Sequence, residues 1–240
     1  MRKLLVALSL GLCTFAPAVS SVAQSSSSTY LFIYHALPGR DTSASAFPSY
    51  PVDLKIDGNC FAQSINQGYF AGAYIFPSGS HDITVTQAEA LSPCAGTSVF
   101  SGSVTFKAGF AEVLSIGEDK SDAPTAYVTD VNISKTASGG GRIVVANISD
   151  QPNLTITATP QFAAQGTTLT FSPVRRGSST WQDAKAINYI TQITQFNTKT
   201  NFGFPLTVRP VADSVIMIFA FGSAKTGSLR LDVKGIEDVF

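Results

Sequence analysis

The chain has 240 residues with 16 Lys+Arg against 16 Asp+Glu, a formal net charge of +0, so it lacks the basic surplus of a nucleic-acid binder. Charged residues make up 13% where an average soluble domain has roughly 25%, and 44% of residues are hydrophobic, which excludes a disordered chain and supplies a packed core. Three cysteines and two histidines are too few for clustered metal chemistry, and neither a metal nor another cofactor is expected.

Arg2 and Lys3, the apolar run Leu4 to Ala16 and the small-residue triplet Ser21-Val22-Ala23 have the pattern of a signal peptide over residues 1–23, with cleavage before Gln24. The run is shorter than the ~20 residues needed to span a bilayer, so no transmembrane segment is expected in the mature chain. Cys13 leaves with the signal. The protein is expected to be secreted or periplasmic, or held at the cell surface. In such an oxidising compartment Cys60 and Cys94 are expected to form a disulfide.

Residues 24–29 are polar and read as a flexible lead-in. From Tyr30 onward, short runs rich in Val, Ile, Phe and Thr alternate with turn residues. Strands are predicted over 30–36, 52–56, 83–86, 99–106, 112–116 and 126–133. In the second of these, Val52, Leu54 and Ile56 alternate with Asp53, Lys55 and Asp57, which assigns one face to the core and a charged face to solvent. No stretch carries a helical apolar stripe. The glycines at 139–141 end a segment, 135–141, that reads as a linker, with a long hairpin loop as the competing interpretation.

The segments flanking it align as an internal repeat. Leu31 to Ala36 matches Ile143 to Ile148, and Val52 to Ile56 matches Leu154 to Ala158. Glu112 to Gly117 is aligned with Met217 to Gly222, and Tyr127 to Val131 with Leu229 to Val233. The expected fold is all-β: two tandem antiparallel, immunoglobulin-like sandwiches over 30–134 and 142–240, each of about seven strands.

His35-Ala-Leu-Pro-Gly-Arg-Asp41, Pro51-Val-Asp-Leu54 with Asp57-Gly-Asn-Cys60, Phe76-Pro-Ser-Gly-Ser80, Ser92-Pro-Cys94 and Gly222 to Leu229 resemble secreted bacterial proteins of the domain of unknown function 4397 family. The resemblance spans essentially the mature chain and implies exported β-sandwiches, in places in tandem, with no catalytic residue to carry over. The chain departs from the pattern over 171–196, which leaves the second unit's strand order open.

Catalytic chemistry finds little to use. The two histidines lack a Gly-x-Ser-x-Gly partner motif. His35 aligns with Asn147, a turn-bonding residue and no base, and His81 reads as solvated in a hairpin. Asp53, Asp57, Asp82 and Asp130 could be sought as a glycosidase pair, yet no cleft signature accompanies them, and Asp41, Asp119 and Asp122 as calcium ligands, yet they form no regular Asp-x-Asp-x-Asp series. No catalytic residue is therefore assigned, and a secreted hydrolase stays as an alternative. The Arg175-Arg176 pair and Trp181, the only tryptophan, form the candidate ligand-binding segment. On a β-module loop such a ring stacks on a sugar or anchors a partner, and its competing role is a core plug or inter-domain contact. The expected function is a non-catalytic binding or structural module with an unknown protein or glycan partner at the envelope, an adhesion or carbohydrate-binding module being the first alternative. A terminal Phe240 also suits an outer-membrane barrel, but most of the runs fall short of the ~9 to 11 residues its strands need.

Overall fold

A computed structural model describes residues 27–37, 51–89, 91–136, 139–198 and 200–236. The signal segment, Cys13, Asp41 and Phe240 lie outside these residues.

The first half contains β1 (Ser28–His35), β2 (Val52–Ile56), β3 (Asn59–Ile65), β4 (Phe70–Pro77), β5 (Gly79–Gln87), β6 (Ser98–Phe106), β7 (Ala111–Glu118) and β8 (Pro124–Val131). The second contains β9 (Gly140–Ser149), β10 (Asn153–Pro160), β11 (Leu169–Arg175), β12 (Ser178–Lys185), β13 (Tyr189–Gln195), β14 (Asn201–Val208), β15 (Val215–Gly222) and β16 (Arg230–Ile236). A 3-10 turn, Ala163–Gln165, interrupts the β structure of the described residues. The chain is nearly all β, as expected.

Each half is a sandwich of two four-stranded sheets with the same strand order. In the first, β4-β1-β7-β8 faces β3-β2-β5-β6; in the second, β12-β9-β15-β16 faces β11-β10-β13-β14. Adding eight to each strand number of the first half reproduces the second, so the duplication holds through 171–196. Two expectations change. Among the described residues each sandwich has eight strands rather than about seven, and each contains one parallel pair, β1–β7 and β9–β15. The sheets are open, so the described residues do not form the closed barrel that the chain end suggested.

The register of the repeat also changes. Leu31 pairs with Glu112, and its counterpart Ile143 pairs with Ile216, so Glu112 is equivalent to Ile216 and not to Met217. Ser115 pairs with Tyr127 and Phe219 with Asp232, so Tyr127 is equivalent to Asp232 and not to Leu229. A one-residue slip turns every side chain to the opposite face. Ile216, Ile218 and Ala220 point into the second sandwich, whereas Met217, Phe219 and Phe221 point away from it.

Those outward side chains define the assembly. Leu31, Ile33, Leu54, Ile83, Leu114 and Ile116 fill the first sandwich, and Ile143, Val145, Leu154, Ile156, Phe171 and Ile218 the second. A third core lies between the halves: Phe32, Tyr34, Ala36 and Val113 pack against Val144, Ala146, Met217 and Phe219. Four sheets are therefore stacked, with the β1–β7 and β9–β15 pairs buried on both faces, which explains why β7 is buried at every position and β15 is apolar throughout. The Tyr34 ring stacks on Phe219 at 3.9 Å between centroids, and its hydroxyl donates to Asp232 Oδ2 at 2.7 Å. The segment taken as a linker ends inside the stack, since Gly140 and Gly141 belong to β9.

Cys60 and Cys94 form the expected disulfide. It fastens the loop after β5 across β2, and this loop covers Asp53. Asp53 is thus buried, contrary to the outward placement: its Oδ1 accepts from the Ser64 amide at 2.7 Å and its Oδ2 from the Cys94 amide at 2.6 Å. His81 is buried too, not solvated. It packs against Phe76 and Phe106, and its Nδ1 meets Asp57 Oδ2 at 2.7 Å.

His35 closes β1 at 2% exposure, and its Nδ1 has no hydrogen-bond partner. Burial lowers its pKa to about 4, so the folded protein holds it neutral. An unfolded histidine takes up a proton near pH 6.5. Stability is therefore complete above that pH and falls as pH drops towards 4, by about 3 kcal/mol in all. In His35→Asn, which installs the residue of the second repeat, this part of the pH dependence of the urea midpoint disappears.

Candidate functional site

The inter-sandwich core opens to solvent where the edge strands β8 and β12 run past each other. Pairing fixes which side chains look into the opening. Thr129 pairs with Val113, and Trp181 and Ser179 pair with Val144 and Ala146, all on the face of the shared core. The result is an open cavity of about 830 Å³. Trp181, Phe110 and Ile133 contribute apolar surface, and Lys107, Thr129, Asp130, Asn132, Ser178 and Ser179 polar surface. A volume of this order falls within the ordinary range for a small-molecule site.

Trp181 lies in strand β12, not on a loop, and is 44% exposed. It is neither a core plug nor freely swinging. The Arg142 guanidinium carbon sits 4.3 Å from its ring centroid. Arg142 itself is 3% exposed, and its charge is met by Asp183 Oδ1 at 2.7 Å. Its Nη1 donates to Asn132 Oδ1 at 2.7 Å and to the Ser134 carbonyl at 2.9 Å, in the segment that follows β8. One arginine from the second sandwich thereby holds the margin of the first and supports the tryptophan ring. Ser179 Oγ adds a second cross-link, donating to the Asp130 carbonyl at 2.6 Å.

The opposite wall comes from the first sandwich. Lys107 Nζ donates to both Asp130 carboxylate oxygens at 2.8 Å and lies 5.5 Å from the centroid of the Phe110 ring, which is 48% exposed. Thr129 is 2% exposed, and its hydroxyl is buried in this wall without a hydrogen-bond partner. Gly177 closes the rim between β11 and β12. Its φ of +69°, and a Tyr127 ring only 2.9 Å from where a Cβ would stand, leave room for glycine alone.

The other candidates fall elsewhere. Arg176 reaches the Ser149 carbonyl at 3.1 Å and also the Asp150 carbonyl, so it secures the β9–β10 turn. Arg175 is exposed at the end of β11, paired with Asn153 and outside the cavity wall. Asn147 performs the turn bonding expected of it, donating to the Gln151 and Val174 carbonyls at 3.0 and 3.1 Å. His35 lies at the end of β1 opposite Tyr30, the residue level with Ala111 in the cavity wall. Among the carboxylates sought as a pair, only Asp130 lines the cavity; Asp53 is buried, and Asp57 and Asp82 are joined through the Asp82 amide on the other sheet. Glu112, fully buried behind Lys107, has its carboxyl pushed up by burial, and its Oε2 accepts from the Lys107 amide and Thr29 Oγ1. It does not line the cavity. Asp119 accepts from Ser121 and Ala123, and Asp122 lies 3.6 Å from Lys225, so neither is arranged around a cation. Among the described residues no group of three or more His, Cys, Asp or Glu could hold a metal.

Sequence reasoning singled out Trp181 and missed Arg142, Thr129, Phe110 and Lys107. The one signal for the missed group was Lys107-Ala-Gly-Phe110, an aromatic residue ending a glycine turn, and that alone points to no ligand.

Among the described residues no helix is long and apolar enough to cross a membrane. No family model and no curated protein matches the chain. Among solved structures it is similar to the Bacillus anthracis TIE protein, at 12% identity and a TM-score of 0.28. The match covers 81% of this chain and 34% of that one, so the chain spans about a third of that protein's length.

Proposed function

We propose that the protein is an exported, non-catalytic binding module that meets its partner at the cell envelope through the β8/β12 cavity. The supporting observation is Trp181. A large aromatic ring stands 44% exposed at a cavity mouth, yet it is fixed by a rigid strand and by a buried arginine at its back. A half-exposed ring held in one orientation contributes contact area without the entropy of ordering it on binding. The export half of the reading rests on the leader pattern in residues 1–23 and on a disulfide of the kind that persists in oxidising compartments.

The direct test is retention of the purified protein on envelope material from the producing cells, comparing wild type with Trp181→Ala. The expected result is retention by wild type and at least a tenfold loss in the variant, with β-sheet circular dichroism unchanged; removal of an anchor residue of this kind costs ~2 kcal/mol or more. Equal retention by the two proteins refutes the cavity as the contact site.

A further inference from the structure

We infer that the occupant of the cavity is an uncharged glycan, with the Trp181 ring as its stacking platform and the Thr129 hydroxyl as a hydrogen-bonding partner. This rests on the binding-module reading above and names the ligand class for the same site.

Four features of the wall support it. First, its formal charges are matched. Lys107 spends its ammonium on both oxygens of Asp130, and Arg142 behind the ring is paired with Asp183. A strongly anionic ligand would find no uncommitted cation there, and a cationic one no uncommitted carboxylate.

Second, the cation-binding capacity of the tryptophan is already used. The attraction of a ring face for positive charge is occupied by a guanidinium at 4.3 Å, which disfavours a quaternary ammonium or lysine-like group on the other face. The ring remains available for the apolar C–H face of a sugar.

Third, the rest of the lining suits the rim of a pyranose. Beside Trp181, Ser178 and Ser179 give their protons to the Arg175 and Asp130 carbonyls and keep hydroxyl lone pairs to accept with, while Asn132, whose Oδ1 is taken by Arg142, keeps its side-chain N–H groups to donate. A sugar is amphipathic in the same sense, with an apolar face edged by hydroxyls.

Fourth, Thr129 is a polar group without a partner. Its hydroxyl is buried in the cavity wall with nothing to bond to. Such a group costs free energy unless it is satisfied, and a ligand hydroxyl satisfies it. A sugar hydroxyl both donates and accepts, so it can bond a threonine in either direction.

The test is a glycan array displaying uncharged, acidic and amino-sugar oligosaccharides, read with wild type, Trp181→Ala and Thr129→Val. Soluble titrations of each array hit follow by fluorescence, in which Trp181 as the only tryptophan reports its own surroundings. The expected result is binding confined to uncharged glycans, lost in Trp181→Ala and weakened about tenfold in Thr129→Val. Thr129→Val is expected to melt no lower than wild type, because it removes an unsatisfied buried hydroxyl. Binding only to acidic or amino sugars, an empty array, or full affinity in Thr129→Val overturns the inference. An empty array together with Trp181-dependent retention on envelope material leaves the cavity as the contact site and assigns it a protein partner. Trp181-independent retention removes the site itself.

Discussion

Replacing both bridging cysteines, as Cys60→Ser with Cys94→Ser, lowers the unfolding free energy by about 4 kcal/mol, read as the shift of the guanidinium midpoint at constant slope. The figure follows from freeing a loop of 34 residues in the unfolded chain. A local effect should accompany it. Cys94 Sγ is held in the covalent bond while the Cys94 amide donates to the buried Asp53 carboxylate, so without the bond that loop no longer keeps Asp53 from water. Hydrogen exchange at the Cys94 and Ser64 amides is expected to speed up more than exchange in β9 or β15. A midpoint within 1 kcal/mol of wild type would show that the loop is held by Asp53 and packing alone.

Phe219→Ala is expected to cost about 3 to 5 kcal/mol, as for other fully buried aromatic truncations. Phe219 belongs to neither sandwich interior. It lies in the shared layer, stacked on Tyr34 of the other half and close to Phe70 at 6.1 Å. The loss is therefore shared by both halves. Scanning calorimetry of the wild type should give one transition, and the variant one transition at lower temperature. Two resolved transitions in the wild type would mean that the halves fold independently and that the shared layer adds little.

Much of the architecture was legible from residue pattern. Strand β2 coincides with the predicted 52–56, and β6 differs from its prediction only by Ser98. Both alternate cleanly or are bounded by turn residues. β3 and β4 escaped notice: β3 is exposed or half-buried except at Ile65, with shifted pairing against β2, and β4 carries apolar residues on exposed positions of a sheet edge. The duplication was visible, but its register in the last strands was not. A strand buried on both faces has no polar alternation, so Val, Ile, Leu and Met can slide by one position without penalty in the sequence. Asp53 was assigned to solvent because strand alternation knows nothing of a loop drawn across the sheet by a remote disulfide; His81 was assigned there because the start of β5 was taken for a hairpin, although it shares the inward face of Ile83 and Val85.

The cavity was legible only through rarity. A single tryptophan draws attention, but Arg142, Thr129 and Lys107 lie far from it in sequence and look ordinary there. They meet because two sheets from different halves stack with their edges in step. That is a property of the third core, which no single-domain reasoning includes.

The back-to-back stacking also bears on how the polypeptide is made. Synthesis runs from the N-terminus, so Phe32, Tyr34 and Val113 are complete before their cover, Val144, Met217 and Phe219, exists. At ~5 to 20 residues per second the remaining hundred or so residues take on the order of 5 to 20 s. Throughout that interval the nascent first half presents a greasy sheet to its surroundings, and any sister chain nearby offers an identical one. Crowded synthesis would thus favour mispaired first halves, and the second half acts on its own predecessor as a tethered shield.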